Sequence, residues 1–166
     1  MNVTDIKSEA PAIFEKDIKS GMHYAERIRD MLEEMFKRQH ELELKYEHIE
    51  EENGFSWNPN NLPSGLFSGM PMDLNNPQNQ WFIKDGAYRM IEEISEATNC
   101  LKNKPWKTTH VPTDEVHFLE ELADAQHFWI RLWLYIFGSP QAAAEAMYKM
   151  YFKKSEVNKF RQETKY

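Results

Sequence analysis

The ten residues Phe128 to Phe137, FWIRLWLYIF, constrain this chain more than any other stretch. Read as a helix they are apolar nearly all round, and such a helix has to be covered on several sides by its own bundle or by a second subunit. The stretch is too short to span a bilayer and carries Arg131 inside it, so no membrane segment is expected. The N-terminal residues, MNVTDIKSEAPAIFEKDIKS, lack an apolar leader core, and secretion is not expected either. A single cysteine, Cys100, cannot close an internal disulfide, which points to a reducing compartment, the cytoplasm, or the host cytoplasm for a phage-encoded chain.

The cover must come from the rest of a 166-residue chain, a length that favours one domain with a real core. Its aromatic residues (13%) and nine methionines fall in segments without β-branched runs, which favours helices over sheets. From about Met22 to Glu52 the residues Ile28, Met31, Leu32, Met35, Phe36, Leu42 and Tyr46 recur at three- and four-residue spacing, and Gly54 marks a stop. A second helix is expected from about Gln80 to Leu101, with Ala87, Met90, Ile91, Ile94 and Leu101 facing inward and Asn103, Lys104 and Pro105 ending it. Thr113 as N-cap, with Asp114 and Glu115 in the first turn, opens a third helix that runs to about Tyr135, before Gly138. Ser139 and Pro140 read as N-cap and first residue of a fourth.

Residues 1–18 read as a loose arm, and 53–79, rich in Asn, Pro, Gly and Ser, as a long connection of the kind that is often functional. The expected architecture is therefore all-α: one domain over residues 1–166, a bundle of about four main helices with a long loop between the first and second. The greasy third helix predicts a homodimer.

A formal charge of −7 argues against nucleic acid as a partner, since such binding draws on many unopposed cations. The acids are not scattered evenly. Glu93 and Glu96 lie three apart in the second helix, and Glu121 and Asp124 three apart in the third, so each pair shares a helix face close to the apolar stripe. Like charges so placed repel unless a cation lies between them, and Mg²⁺ takes carboxylate oxygens while keeping positions for water and phosphate oxygens. With 27 acids in the chain, chance alone supplies roughly four such pairs, and a solvated acidic face stands as the alternative. Gln39 continues the apolar stripe of the first helix, which turns an uncharged hydrogen-bonding group inward. Lys154, Asn158 and Arg161 fall along one side of the last helix and form either a phosphate and sugar contact surface or a solvated tail.

Taken together these strings resemble the all-α NTP pyrophosphatase superfamily, in particular the dimeric dUTPases and the phage dCTP/dUTP pyrophosphatases. The signature is ExxE followed, after one interhelical connection, by ExxD, here Glu93-Ile-Ser-Glu96 and Glu121-Leu-Ala-Asp124, the second extended as EELADAQHF through His127 and Phe128. Pro105, Trp106 and Lys107 look like the tryptophan-lysine element between the pairs, and RQHEL around Gln39 like the first motif. The closing stretch YFKKSEVNKFRQETKY places Lys154, Asn158, Arg161, Gln162 and Tyr166 at the family's spacings. The chain departs from the pattern at Lys165, where glycine is frequent, and at Glu43, where an amide is usual.

The resemblance implies a hydrolase that cleaves dUTP, and also dCTP, to the monophosphate and pyrophosphate. Two Mg²⁺ ions would be held by Glu93, Glu96, Glu121 and Asp124, with Glu93 or Glu92 as the base. Lys154 and Arg161 would meet the phosphates. Gln39, Trp106, Lys107, Asn158 and Tyr166 would complete substrate binding. Competing readings are a pyrophosphatase for another dNTP, a di-iron carboxylate bundle suggested by Asp124-x-x-His127 and Asp114-x-x-His117, and a non-enzymatic helical interaction module.

Overall fold

The computed structural model describes residues 28–54 and 71–163, so the N-terminal arm, most of the long connection and Tyr166 lie outside the described residues. Four helices account for the order: α1 (Ile28–Glu52), α2 (Pro77–Cys100), α3 (Glu115–Phe137) and α4 (Pro140–Glu163). The described residues contain no strand, in agreement with the all-α expectation.

The helix ends follow local chemistry. Gly54, with φ 83°, stands two residues past α1, in the left-handed region that costs glycine nothing. Three residues earlier than the spacing predicts, α2 starts at Pro77, because the Asn76 side chain accepts a hydrogen bond from the Gln78 amide and Pro77 needs no donor there. The N-cap of α3 is Asp114 rather than Thr113: the Asp114 carboxylate accepts from the His117 amide at 3.1 Å. Gly138, at φ 72°, closes α3, and Ser139 Oγ accepts from the Ala142 amide at 3.3 Å as Pro140 opens α4.

Packing is most extensive between α2 and α3, while α1 and α4 lie against each other and against α3. The α2 seam corrects the expected inner face. Ile91 (52% exposed), Ile94 (41%) and Leu101 (48%) point outward, and the buried side of α2 carries Asn79, Gly86 and Ala97. Small residues let the two backbones approach closely: a Cβ on Gly86 would lie 3.0 Å from Leu132 Cδ2. The same rotation brings Glu93, seven residues after Gly86, onto the side that meets α3.

The core forms where α1, α3 and α4 meet, around Phe36, Ile130, Leu134, Tyr135, Ala143 and Ala144. Met72, ahead of α2, joins it and donates its amide to the Ile136 carbonyl at 2.9 Å. Phe82 meets Tyr135 edge-on at 4.4 Å. Not everything apolar is covered. In the second half of α4, Tyr148, Met150, Tyr151, Phe152, Val157 and Phe160 are all exposed, as are Trp81 and Tyr88 on α2 and Trp129 on α3.

Candidate metal and nucleotide site

The α2–α3 seam carries the acidic pairs to one place. Oxygens of Glu93, Glu96 and Glu121 lie within 4.8 Å of one another, and Glu121 is a buried residue. Asp124, the fourth acid of the sequence pattern, lies one helical turn after Glu121 and lines a cavity together with Glu93. Burial first, then the charges of Asp124, Glu96 and Glu121 together with a hydrogen bond to Glu121, pushes the Glu93 carboxyl above the ordinary carboxylate range.

The donor set suits a hard cation. The converging ligand atoms are carboxylate oxygens from three glutamates, without the thiolate or imidazole that a softer ion would prefer. One carboxyl oxygen of Glu120, the residue before Glu121, is buried with no hydrogen-bond partner. Among the described residues the converging group holds no histidine: His117 Nδ1 borders it 3.2 Å from Glu121 Oε1, and His127 is engaged by Gln39 of α1.

Beside the acids opens a cavity of about 320 Å³ lined by α1 and α3, with Gln39, Glu43, His127, Phe128 and Arg131 prominent in it. Its floor is polar and buried. Gln39 is 3% exposed, and its Nε2 donates to Glu43 Oε1 at 2.6 Å. Glu43 in turn forms an ion pair with Arg131, Oε2 to Nε 3.0 Å, and accepts from the Tyr135 hydroxyl at 3.3 Å. Burial, and next the Glu43 charge, push the Tyr135 phenol far up, so that it remains a proton donor. Arg131 also bonds the Tyr135 oxygen and lies over the Phe128 and Tyr135 rings, at 6.0 and 5.2 Å. His127 Nδ1 stands 2.5 Å from Gln39 Oε1.

The remaining sequence candidates lie elsewhere. Glu92 faces solvent and pairs with Arg89 at 3.5 Å. Trp106 is 77% exposed in the α2–α3 connection, with Lys104 6.0 Å from its ring, and Lys107 caps a turn there through the Lys104 carbonyl. Lys154, Asn158 and Arg161 are exposed on the distal half of α4.

Sequence reasoning does not single out Glu43, Tyr46, Phe128 and Arg131 as site residues, yet all four line the cavity. Their signal is helical spacing: Glu43 lies four residues after Gln39, and Arg131 four after His127 and seven after Asp124.

No family model, curated protein or solved structure matches this chain. None of the helices is long and apolar enough among the described residues to cross a membrane.

Proposed function

We propose that the protein is a Mg²⁺-dependent nucleoside triphosphate pyrophosphohydrolase that cleaves a pyrimidine deoxynucleoside triphosphate, dUTP or dCTP, to the monophosphate and pyrophosphate. The observation that carries this reading is the convergence of Glu93, Glu96 and Glu121 from two helices, beside a cavity that Glu93 and Asp124 also line. An acidic protein has no evident reason to gather carboxylates at a helix seam, where like charges oppose folding, unless a cation and an anionic ligand use them.

Glu93, Glu96, Glu121 and Asp124 would hold the cations. When bound, Mg²⁺ supplies neutralisation of the triphosphate oxygens and a more acidic water. The chain's own residues do the rest. The Glu93 carboxylate accepts the proton of the attacking water, as the water oxygen bonds to phosphorus and the phosphoanhydride bond breaks toward pyrophosphate. Glu92, held in solvent by Arg89, is the weaker candidate for that role. The cavity between α1 and α3 receives the ring and sugar next to the acids. Gln39 serves as a positioning residue there, since both ends of its amide are committed to Glu43 and His127.

Lys154, Asn158 and Arg161 belong to a helix half that is exposed in the single chain, and the uncovered apolar residues around them support a homodimer in which that half is buried. Activity and mass are both testable. Purified protein with Mg²⁺ should release pyrophosphate from dUTP or dCTP, and Glu121→Gln should abolish release while circular dichroism stays helical. Light scattering should give twice the chain mass. Absence of pyrophosphate from every dNTP, with no rise in melting temperature on adding Mg²⁺ and nucleotide, would favour the non-enzymatic module instead.

A further inference from the structure

The polar chain on the cavity floor has a direction that is fixed at one end. A guanidinium has donors and no acceptor, so in its ion pair with Arg131, 3.0 Å from Nε, Glu43 turns its oxygens toward donors. The Tyr135 hydroxyl donates to the same carboxylate. Toward Gln39 the carboxylate is again an acceptor, and an amide oxygen 2.6 Å away would be repelled by it, so Gln39 must present its NH₂ there. Its Oε1 is thereby turned to His127, and the Nδ1 that stands 2.5 Å from it has to carry the proton. A neutral imidazole with its proton on Nδ1 leaves Nε2 as a bare acceptor. The choice of tautomer thus traces back through Gln39 to Glu43 and its partner Arg131, three links along the chain and on the same helix as His127.

Two acceptors are thereby fixed in the cavity, beside the Arg131 guanidinium, already paired with Glu43 and Tyr135, and the Tyr46 hydroxyl. The Glu43 carboxylate lies at its floor and the exposed His127 at its mouth, with the Phe128 ring alongside. Its volume of about 320 Å³ is at the lower end of the roughly 300–1,000 Å³ usual for small-molecule sites, which suits one ring rather than a fused pair.

We propose that this cavity is a ring-binding subsite that selects a 4-aminopyrimidine, the cytosine ring, over uracil, with His127 Nε2 and Glu43 as the selecting acceptors. The inference rests on the reading of the neighbouring carboxylates as a triphosphate site. The chemistry follows from the ring edges. Cytosine presents an exocyclic amino group, whose two N–H bonds suit carboxylate and imidazole acceptors. Uracil presents O4 at that corner, and its one N3–H is flanked by carbonyl oxygens on both sides, so the two selecting acceptors, His127 Nε2 and Glu43, oppose it.

Calorimetric titration of the full chain with dCMP and with dUMP in the presence of Mg²⁺, next to kcat/KM for dCTP and dUTP, tests the proposal. The wild type should bind dCMP about tenfold or more tighter than dUMP and show the same order in kcat/KM. His127→Phe, at an exposed position, should bring the binding ratio to about threefold or less. Nitrogen-15 NMR of the His127 ring should show the Nδ1–H tautomer in the wild type, a readout that needs no variant. Equal or tighter binding of dUMP, or an Nε2–H tautomer, would overturn the subsite. Uracil preference with pyrophosphate release intact leaves the triphosphate reading standing and removes only this inference. Failure of both nucleotides to bind or react removes both.

Discussion

Replacing Arg131 with methionine isolates the energetics of the cavity floor. The shorter, uncharged side chain keeps an apolar stem at this position, but it removes the guanidinium over the Phe128 and Tyr135 rings and the cation from Glu43, whose side chain is only 2% exposed against 20% for the arginine. Leaving a buried carboxylate without its partner costs about 3–5 kcal/mol. Because Arg131 is partly in contact with water, the lower end applies. At about 2–4 °C per kcal/mol for a chain of this size, a loss of about 3 kcal/mol lowers the melting temperature by roughly 6–12 °C. The double variant Arg131→Met with Glu43→Gln removes the stranded charge while keeping an acceptor for Tyr135, and should recover about 1 kcal/mol or more of that loss. Thermal unfolding and urea titration of the wild type, both single variants and the double variant provide the full cycle. The reasoning is refuted if Arg131→Met shifts the midpoint by less than about 2 °C, or if the two single effects simply add.

Two further variants probe the α2–α3 seam. Glu93 has a folded-state pKa raised by burial and then by Asp124, Glu96 and Glu121, so between the ordinary carboxylate value and the raised one the folded chain binds more protons than the unfolded chain. Stability therefore falls as pH rises through that window, and below the ordinary value the penalty is absent. Metal-free Glu93→Gln should melt higher than the wild type at about pH 7.5, with the gain vanishing near pH 4; a gain that persists unchanged at acid pH would contradict the electrostatic account. Gly86→Val puts a Cβ 3.0 Å from Leu132 Cδ2 and adds two methyls, which should cost about 1–3 kcal/mol. A denaturant midpoint equal to that of the wild type would mean that the helices are not in close approach there.

Four helices are legible in the sequence because their apolar spacing, caps and breakers agree with one another along the chain. Asn76 ahead of Pro77 shows why spacing places the start of α2 late: an N-cap followed by proline sits inside a stretch whose composition otherwise reads as loop. The inner face of α2 is less accessible to sequence reasoning. Ile91 and Ile94 look like core residues, but the seam is made by Gly86 and Ala97, whose value lies in what they lack, and hydropathy does not register that. The acid pairs can be read from spacing, since Glu93 with Glu96 and Glu121 with Asp124 are local relations. Glu43 and Arg131 are 88 residues apart, and only tertiary packing makes them a pair. Glu43 stands out in the sequence only against a pattern that the chain resembles, whereas its consequence depends on a residue that the sequence presents only as a charge within an apolar run.

The outward half of α4 also bears on how the protein behaves when diluted. Beyond Met147 its turns are held mainly by their own backbone bonds and by pairs such as Lys159 with Glu156, a kind of support worth only a few tenths of a kcal/mol each. Short of a covering surface, those amides should trade protons with solvent within a small fraction of the time needed by the amides near Ala143 and Ala144, which sit in the core. One continuous helix thus carries both a slow and a fast clock, and the point along it where the rates change marks how far the neighbouring surface reaches.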